Sequence, residues 1–206
     1  MIRRSFNYMD KEMLVQLYKG LVRPHLEYAN VAWSPRLKKD ALLLENVQHR
    51  ATRLVPELAE MEYEDRLKAL KLPSLMYRRF RGDLIETYKF FHGLYDVPSE
   101  KLLPPDTDKP TRGHVFKLEK QSHNLGLRKN FLSLRVTDAW NKLPSSIVTA
   151  PTINAFKNRI DKHYGDLMFN SDFPLKAHTS KVTVVNYSED LQQAPGLQAE
   201  EEYASI

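Results

Sequence analysis

Prolines at positions 24, 35, 56, 73, 98, 104, 105, 110 and 144 set where helices in this chain can run. A proline has no backbone N–H to donate and its ring crowds the preceding turn. Between the prolines, apolar residues recur three and four apart, the period of an amphipathic helix. The expected fold class is mainly α: a small helical bundle, then a second helical subdomain, then a disordered tail.

Asp10 has the chemistry of an N-cap, and Met13, Leu14, Leu17, Tyr18 and Leu21 follow on one side of a helix. Pro24 suits the first turn of a second short helix through Leu26, Tyr28 and Ala29, and Trp33-Ser34-Pro35 reads as a turn. From Lys38 to Val55 the residues Leu43, Leu44, Val47, Ala51, Leu54 and Val55 share one face, with Lys39, Asn46, His49, Arg50 and Arg53 opposite. That pattern predicts a helix with one side buried and a basic stripe on the other.

A short helix through Tyr63-Glu64-Asp65-Arg66-Leu67 is expected to end near Leu72-Pro73, and Ser74 to cap a longer one. On the longer helix Met76, Phe80, Leu84, Tyr88 and Phe91 step along one face, Arg78, Arg79 and Lys89 point away, and Gly93 supplies the stop. The Pro-rich stretch 98–110 reads as a loop between subdomains. Alternation over Val115–Glu119 suggests a short strand. A helix through Phe131, Leu134, Arg135, Ala139 and Trp140 should end at Leu143-Pro144, and Thr152 should cap a last one with Ile153, Phe156, Ile160 and Tyr164 inward. The resulting divisions are 1–73, a thumb-like bundle; 74–103, a long helix and connector; 104–164, a C-terminal helical region; and 165–206, an acidic disordered tail.

Charge is divided in the same way. Residues 1–164 carry 29 Lys+Arg against 19 Asp+Glu, a net +10, whereas 165–206 carry 2 against 7, a net −5. A basic body attracts polyanions, of which nucleic acid is the commonest inside cells. With no cysteine there is no disulfide framework and no thiolate metal site, so stability must come from packing the 42% of hydrophobic residues. No apolar run reaches membrane-spanning length and the N-terminus lacks a secretory pattern, so the expectation is a soluble intracellular protein of nucleus or cytoplasm, with no membrane partner.

Chemistry-bearing constellations are sparse. The seven histidines are scattered, with no four-residue pair of the kind that holds a metal on a helix. No phosphate-cradling glycine loop, no Gly-x-Ser-x-Gly elbow and no Asp-Asp pair occurs. No metal, cofactor or catalytic residue is expected. Trp33 and Trp140 sit among apolar neighbours and are expected in the core rather than stacked on bases. Arg78, Arg79 and Arg81 form the densest basic cluster; they either track a phosphate backbone or pair with Asp83 and Glu86 on a solvated face.

Three stretches together carry a resemblance. Leu17-Tyr18-Lys19-Gly20-Leu21-Val22-Arg23-Pro24-His25-Leu26-Glu27-Tyr28-Ala29 runs on to Val31-Ala32-Trp33-Ser34-Pro35. Leu44-Glu45-Asn46-Val47-Gln48-His49-Arg50-Ala51-Thr52-Arg53 is followed by Tyr63-Glu64-Asp65-Arg66-Leu67 and Leu70-Lys71-Leu72-Pro73. Phe131 leads through Arg135-Val136 to Ala139-Trp140-Asn141-Lys142-Leu143-Pro144 and Phe156-Lys157-Asn158-Arg159-Ile160-Asp161.

In order and spacing these resemble the C-terminal third of reverse transcriptases from jockey-like non-LTR retrotransposons, over roughly residues 2–164. The resemblance implies that the first two stretches form the thumb, which rests on a template–primer duplex, and that Lys39, His49, Arg50 and Arg53 face its phosphates. Arg78 and Arg79 are further nucleic-acid candidates. The implied partners are an RNA–DNA or DNA duplex, bound without sequence preference, and a palm domain in the parent protein. The palm carboxylates and the endonuclease of that family have no counterpart in this stretch, so no polymerase activity of its own is expected. Tyr8-Met9-Asp10 superficially resembles the palm motif, but Lys11 stands where a second Asp belongs. The alternative is a protein-interaction module, or an inert remnant of a mobile element, whose thumb face exposes apolar surface.

Overall fold

Asp10 does what its side chain predicts: Oδ1 accepts from the Met13 N–H at 2.7 Å and opens helix α1 (Lys11–Leu17). The computed structural model describes residues 6, 8–35, 37–96, 99–106, 113–122 and 128–173. Helix α1 continues through a wider π turn (Tyr18–Val22) into α2 (Arg23–Glu27). Pro24 would crowd a regular helix, and the chain relaxes just ahead of it, where the Arg23 N–H bonds the Tyr18 carbonyl five residues back.

Helix α3 (Lys38–Thr52) lies where the period placed it but is rolled about its axis. Glu45, Gln48 and Thr52 are its buried residues, while Leu43, expected inside, is 64% exposed and Leu44 and Val47 are half-buried. The cause is the partner. This helix packs on the start of a later one, whose free backbone N–H groups need acceptors more than they need methyls.

Helix α4 (Tyr63–Leu70) ends at Lys71, which takes a left-handed conformation (φ 50°) so that the Leu72 N–H can reach the Leu67 carbonyl at 3.0 Å. Ser74 then caps α5 (Leu75–Phe91), accepting from the Tyr77 N–H. Gly93, at φ +63°, closes it with the crossed bonds of a Schellman motif, Leu94 N–H to Lys89 O and Gly93 N–H to Phe90 O. Helix α5 is central: α3, two later helices and the turn at 165–169 all pack on it. It is therefore buried well beyond the one face that the period marked, and Arg79, expected to point outward, is buried.

The remaining elements are α6 (Ser99–Leu102), α7 (Leu132–Arg135), α8 (Thr137–Asn141), α9 (Ser145–Val148), α10 (Ile153–Tyr164) and a 3-10 turn, Gly165–Phe169. The helix expected over 131–140 is broken at Val136 into α7 and α8, which together bury Leu132, Val136, Ala139 and Trp140. Thr152 caps α10 as expected, accepting from Ala155 N–H. The expected strand at 115–119 is reduced, among the described residues, to one antiparallel bridge between Pro105 and Leu118. Phe116 and Leu118 do face inward, but Pro104 and Pro105 have no N–H to extend a ladder.

Two hydrophobic clusters form within one compact unit, residues 1–176. The first is built from Met9, Leu14, Tyr18, Val55, Leu58, Leu67, Leu70 and Leu72. The second runs from Leu84 and Tyr88 through Leu103, Leu118, Trp140 and Phe156 to Ile160. Leu103, within the stretch 98–110, and Leu118 beyond it both belong to the second cluster. Trp140 is fully buried and its indole N–H donates to the Phe116 carbonyl; Trp33 departs from expectation, being 41% exposed with its N–H on the Tyr28 carbonyl.

Order also extends past Gly165. Phe173 is buried against Tyr77, Phe80 and Tyr164, and the Ser74 N–H donates to the Met168 carbonyl. The rest of the expected tail, 174–206, lies outside the described residues.

Candidate nucleic-acid interface

The orientation of the basic stripe is fixed from beneath. At the buried side of α3 the Glu45 carboxylate accepts from the Tyr63 hydroxyl at 2.6 Å and from the Leu75 and Met76 N–H groups at 3.2 Å each. One turn on, the Gln48 amide accepts from the Tyr18 hydroxyl at 2.6 Å and donates to the Pro73 carbonyl at 3.1 Å. Burial pushes the Glu45 carboxyl above its usual range, against the pull of its three donors and of nearby Arg79. These directional bonds leave α3 one rotational setting about its axis.

In that setting Lys39, Arg50 and Arg53 are exposed. Eleven residues separate Lys39 from Arg50, close to three whole turns, so the two cations stand in line about 16 Å apart along the axis. Among the described residues none of the three makes an ion pair, so their charge is directed at solvent. His49 differs from the sequence expectation. It is half-buried, edge-on to Tyr63 with ring centroids 4.7 Å apart, and its pKa is lowered by burial and then by Arg66 and Arg53.

The arginines of α5 are committed internally. Arg78 donates through Nε and Nη2 to the Glu27 carboxylate, the second bond at 2.8 Å. Arg81 grips Asp161 of α10 in the same two-pronged way, at 2.6 and 2.8 Å, and Tyr77 donates to that carboxylate too. Arg79 is 7% exposed and lies beside Glu45 and Glu27, with burial lowering its pKa. The outward, phosphate-tracking placement expected of Arg78 and Arg79 is thus corrected. Ion pairing was the other arrangement left open, but the partners of Arg78 and Arg81 come from α2 and α10, while Asp83 and Glu86 serve Arg135 and Lys89.

Two basic features went unread in the sequence. Arg66, in the first turn of α4, is buried beside the stripe. Arg159, Lys162 and His163 surround a shallow depression with Ser146 and Ile147, where Arg159 Nη1 donates to the Ser146 carbonyl. A signal for Arg66 existed in its position immediately before the core residue Leu67. Among the described residues no cluster of three His, Asp or Glu groups could hold a metal ion, and no helix is long and apolar enough to cross a membrane.

The chain matches no protein-family model, no curated protein and no solved structure.

Proposed function

We propose that this chain is a thumb-containing C-terminal part of a jockey-like non-LTR reverse transcriptase that holds a nucleic-acid duplex by phosphate contacts and supplies no catalytic residue of its own. The observation that carries the binding reading is the line of exposed cations, Lys39 and Arg50 on α3 and Arg53 at its C-cap, which make no ion pair among the described residues. Contacts of this kind position a duplex without reading its sequence, and they weaken with salt as counterions return to the phosphates. A thumb that slides over any template needs that indifference. Arg78 and Arg79 are left out of the contact set because Glu27 engages the first and the second is buried.

The test is a fluorescence-anisotropy titration of the full chain with a labelled RNA–DNA hybrid at several salt concentrations. Wild type should bind with a steep salt slope. Lys39, Arg50 and Arg53 changed together to Ala should bind more weakly, with the slope reduced by up to about 3. Absence of binding at low salt would sink the reading.

A second reading rests on a separate observation. Leu21, Tyr28, Trp33 and Leu43 are exposed large apolar side chains in the N-terminal half, with Tyr28 at 77%. Such exposure favours a protein-interaction module, whose partner would be the parent protein's palm. Co-elution with that palm, in the absence of any nucleic-acid binding, would select it; failure of both leaves an inert remnant.

A further inference from the structure

Three arginines in this protein hold carboxylates by the same edge. Arg78 on Glu27, Arg81 on Asp161 and Arg135 on Asp83 each present the Nε–Nη2 side of the guanidinium, the fork that fits two oxygens of one anion. Arg66 is built differently. Its Nη1 donates to the Met61 and Ala59 carbonyls at 3.0 and 3.4 Å, which fixes the plane of the group, while Nε and Nη2 have no hydrogen-bond partner among the described residues. The residue is only 1% exposed. An unpaired, buried guanidinium edge is costly, and protein interiors ordinarily provide it with an acceptor.

Positive charge gathers around the same guanidinium. The Arg66 guanidinium lies 5.6 Å from the Tyr63 ring centroid, and His49 packs edge-on to the same ring. Arg53, one turn along α3 from His49, repels both; Glu62 is the acidic group that acts on them, and Tyr63 spends its hydroxyl on Glu45. Arg79 also has nitrogens with no hydrogen-bond partner among the described residues, but two carboxylates, Glu45 and Glu27, act on it and offset its charge.

We propose that Arg66, Arg53 and His49 form a site for a single phosphate group, with the Nε–Nη2 edge of Arg66 taking two of its oxygens and Arg53 and His49 closing on the others. The edge is covered, so an anion must displace a neighbour to reach it; Arg53 and Glu62 are exposed charged neighbours with room to move. The site shares Arg53 with the α3 stripe and so deepens the duplex-binding reading by naming one phosphate contact. Its chemistry can equally be met by free inorganic phosphate, and the test separates the two sources.

The measurement is an NMR titration of the His49 imidazole in the full chain, in inorganic phosphate, in chloride of equal ionic strength, and with the RNA–DNA hybrid. A bound phosphate should raise the His49 pKa by about one pH unit over chloride. Arg66→Gln should abolish the rise, and Arg53→Ala, at an exposed position that folding tolerates, should reduce it. Lys162→Ala, remote on α10, should leave it intact. A His49 pKa that stays at its chloride value in both phosphate and the hybrid overturns the site, and if the hybrid binds without moving His49 the duplex reading survives alone. A rise with the hybrid and not with inorganic phosphate upholds the site with the duplex as its source. A phosphate-dependent rise without hybrid binding upholds the site and removes the duplex as its source. A rise that persists in both Arg66→Gln and Arg53→Ala also overturns the assignment.

Discussion

Arg135 holds Asp83 by two hydrogen bonds, Nη2 to Oδ1 at 2.7 Å and Nε to Oδ2 at 2.8 Å, and its remaining donors reach the carbonyls of Asn30, Val31 and Asn130. One side chain of α7 therefore ties α5 to the turn after α2. Both partners are largely buried, so removing either strands a charge in low dielectric. Arg135→Ala or Asp83→Ala should each cost about 3 kcal/mol or more in urea unfolding. The double change to apolar residues should cost less than the two single changes added together. Strict additivity would mean that the pair is not coupled.

Lys71 and Gly93 pose opposite tests of the same backbone region. Lys71 occupies the left-handed conformation with a side chain that disfavours it, whereas Gly93 at φ +63° has open space where a Cβ would be. Lys71→Gly should stabilise the protein by up to about 1 kcal/mol. Gly93→Ala should destabilise it by about 1 kcal/mol, from conformation alone. Thermal unfolding of the two variants reads both signs, and a neutral Gly93→Ala would remove the Schellman closure from the account of how α5 ends.

Features that depend on three or four consecutive residues were legible in the sequence. Asp10, Ser74 and Thr152 cap the helices they were expected to cap, because a cap bonds an N–H three positions on. The roll of α3 was not legible, since what turned Glu45 inward is the helix start at Leu75 and Met76, thirty residues away. The partners of Arg78 and Arg81 are separated from them by 51 and 80 positions, so local charge pattern could name the kind of arrangement and not the residues. Of the expected stripe, Lys39, Arg50 and Arg53 are exposed because charged groups on a helix find water unless a buried acceptor claims them.

His114 makes stability depend on pH. The ring is buried, Nε2 donates to the Trp140 carbonyl at 3.0 Å, and Nδ1 has no partner among the described residues, so a second proton would be a buried charge that none of them shares. Burial lowers its pKa from 6.5, with Lys117 adding to the effect and the Trp140 bond opposing it. The unfolded chain therefore takes up this proton first as pH falls. The stabilising contribution is complete above 6.5 and is lost as pH drops below that value towards the folded pKa. His49, lowered likewise, acts in the same direction. Urea midpoints should fall on acidification below neutrality, and His114→Gln should flatten that dependence in part. An unchanged slope in the variant would show that His114 is not responsible.

Glu45 connects the core to the proposed binding face. It is buried yet accepts from three donors, two of them backbone N–H groups at the start of α5. Glu45→Ala leaves all three unpaired, at a cost of about 2 to 4 kcal/mol. Because the same bonds set the roll of α3, the variant should also bind the RNA–DNA hybrid more weakly, although position 45 cannot touch it. Glu45→Gln keeps an acceptor but turns an amide N–H₂ towards a donor, and should fall between wild type and Ala in both measurements. Parallel losses of stability and affinity across the pair, under conditions where each variant is still folded, are the expected result. A destabilised but folded Glu45→Ala that binds like wild type would mean that the cations of α3 reach phosphate from more than one setting of the helix.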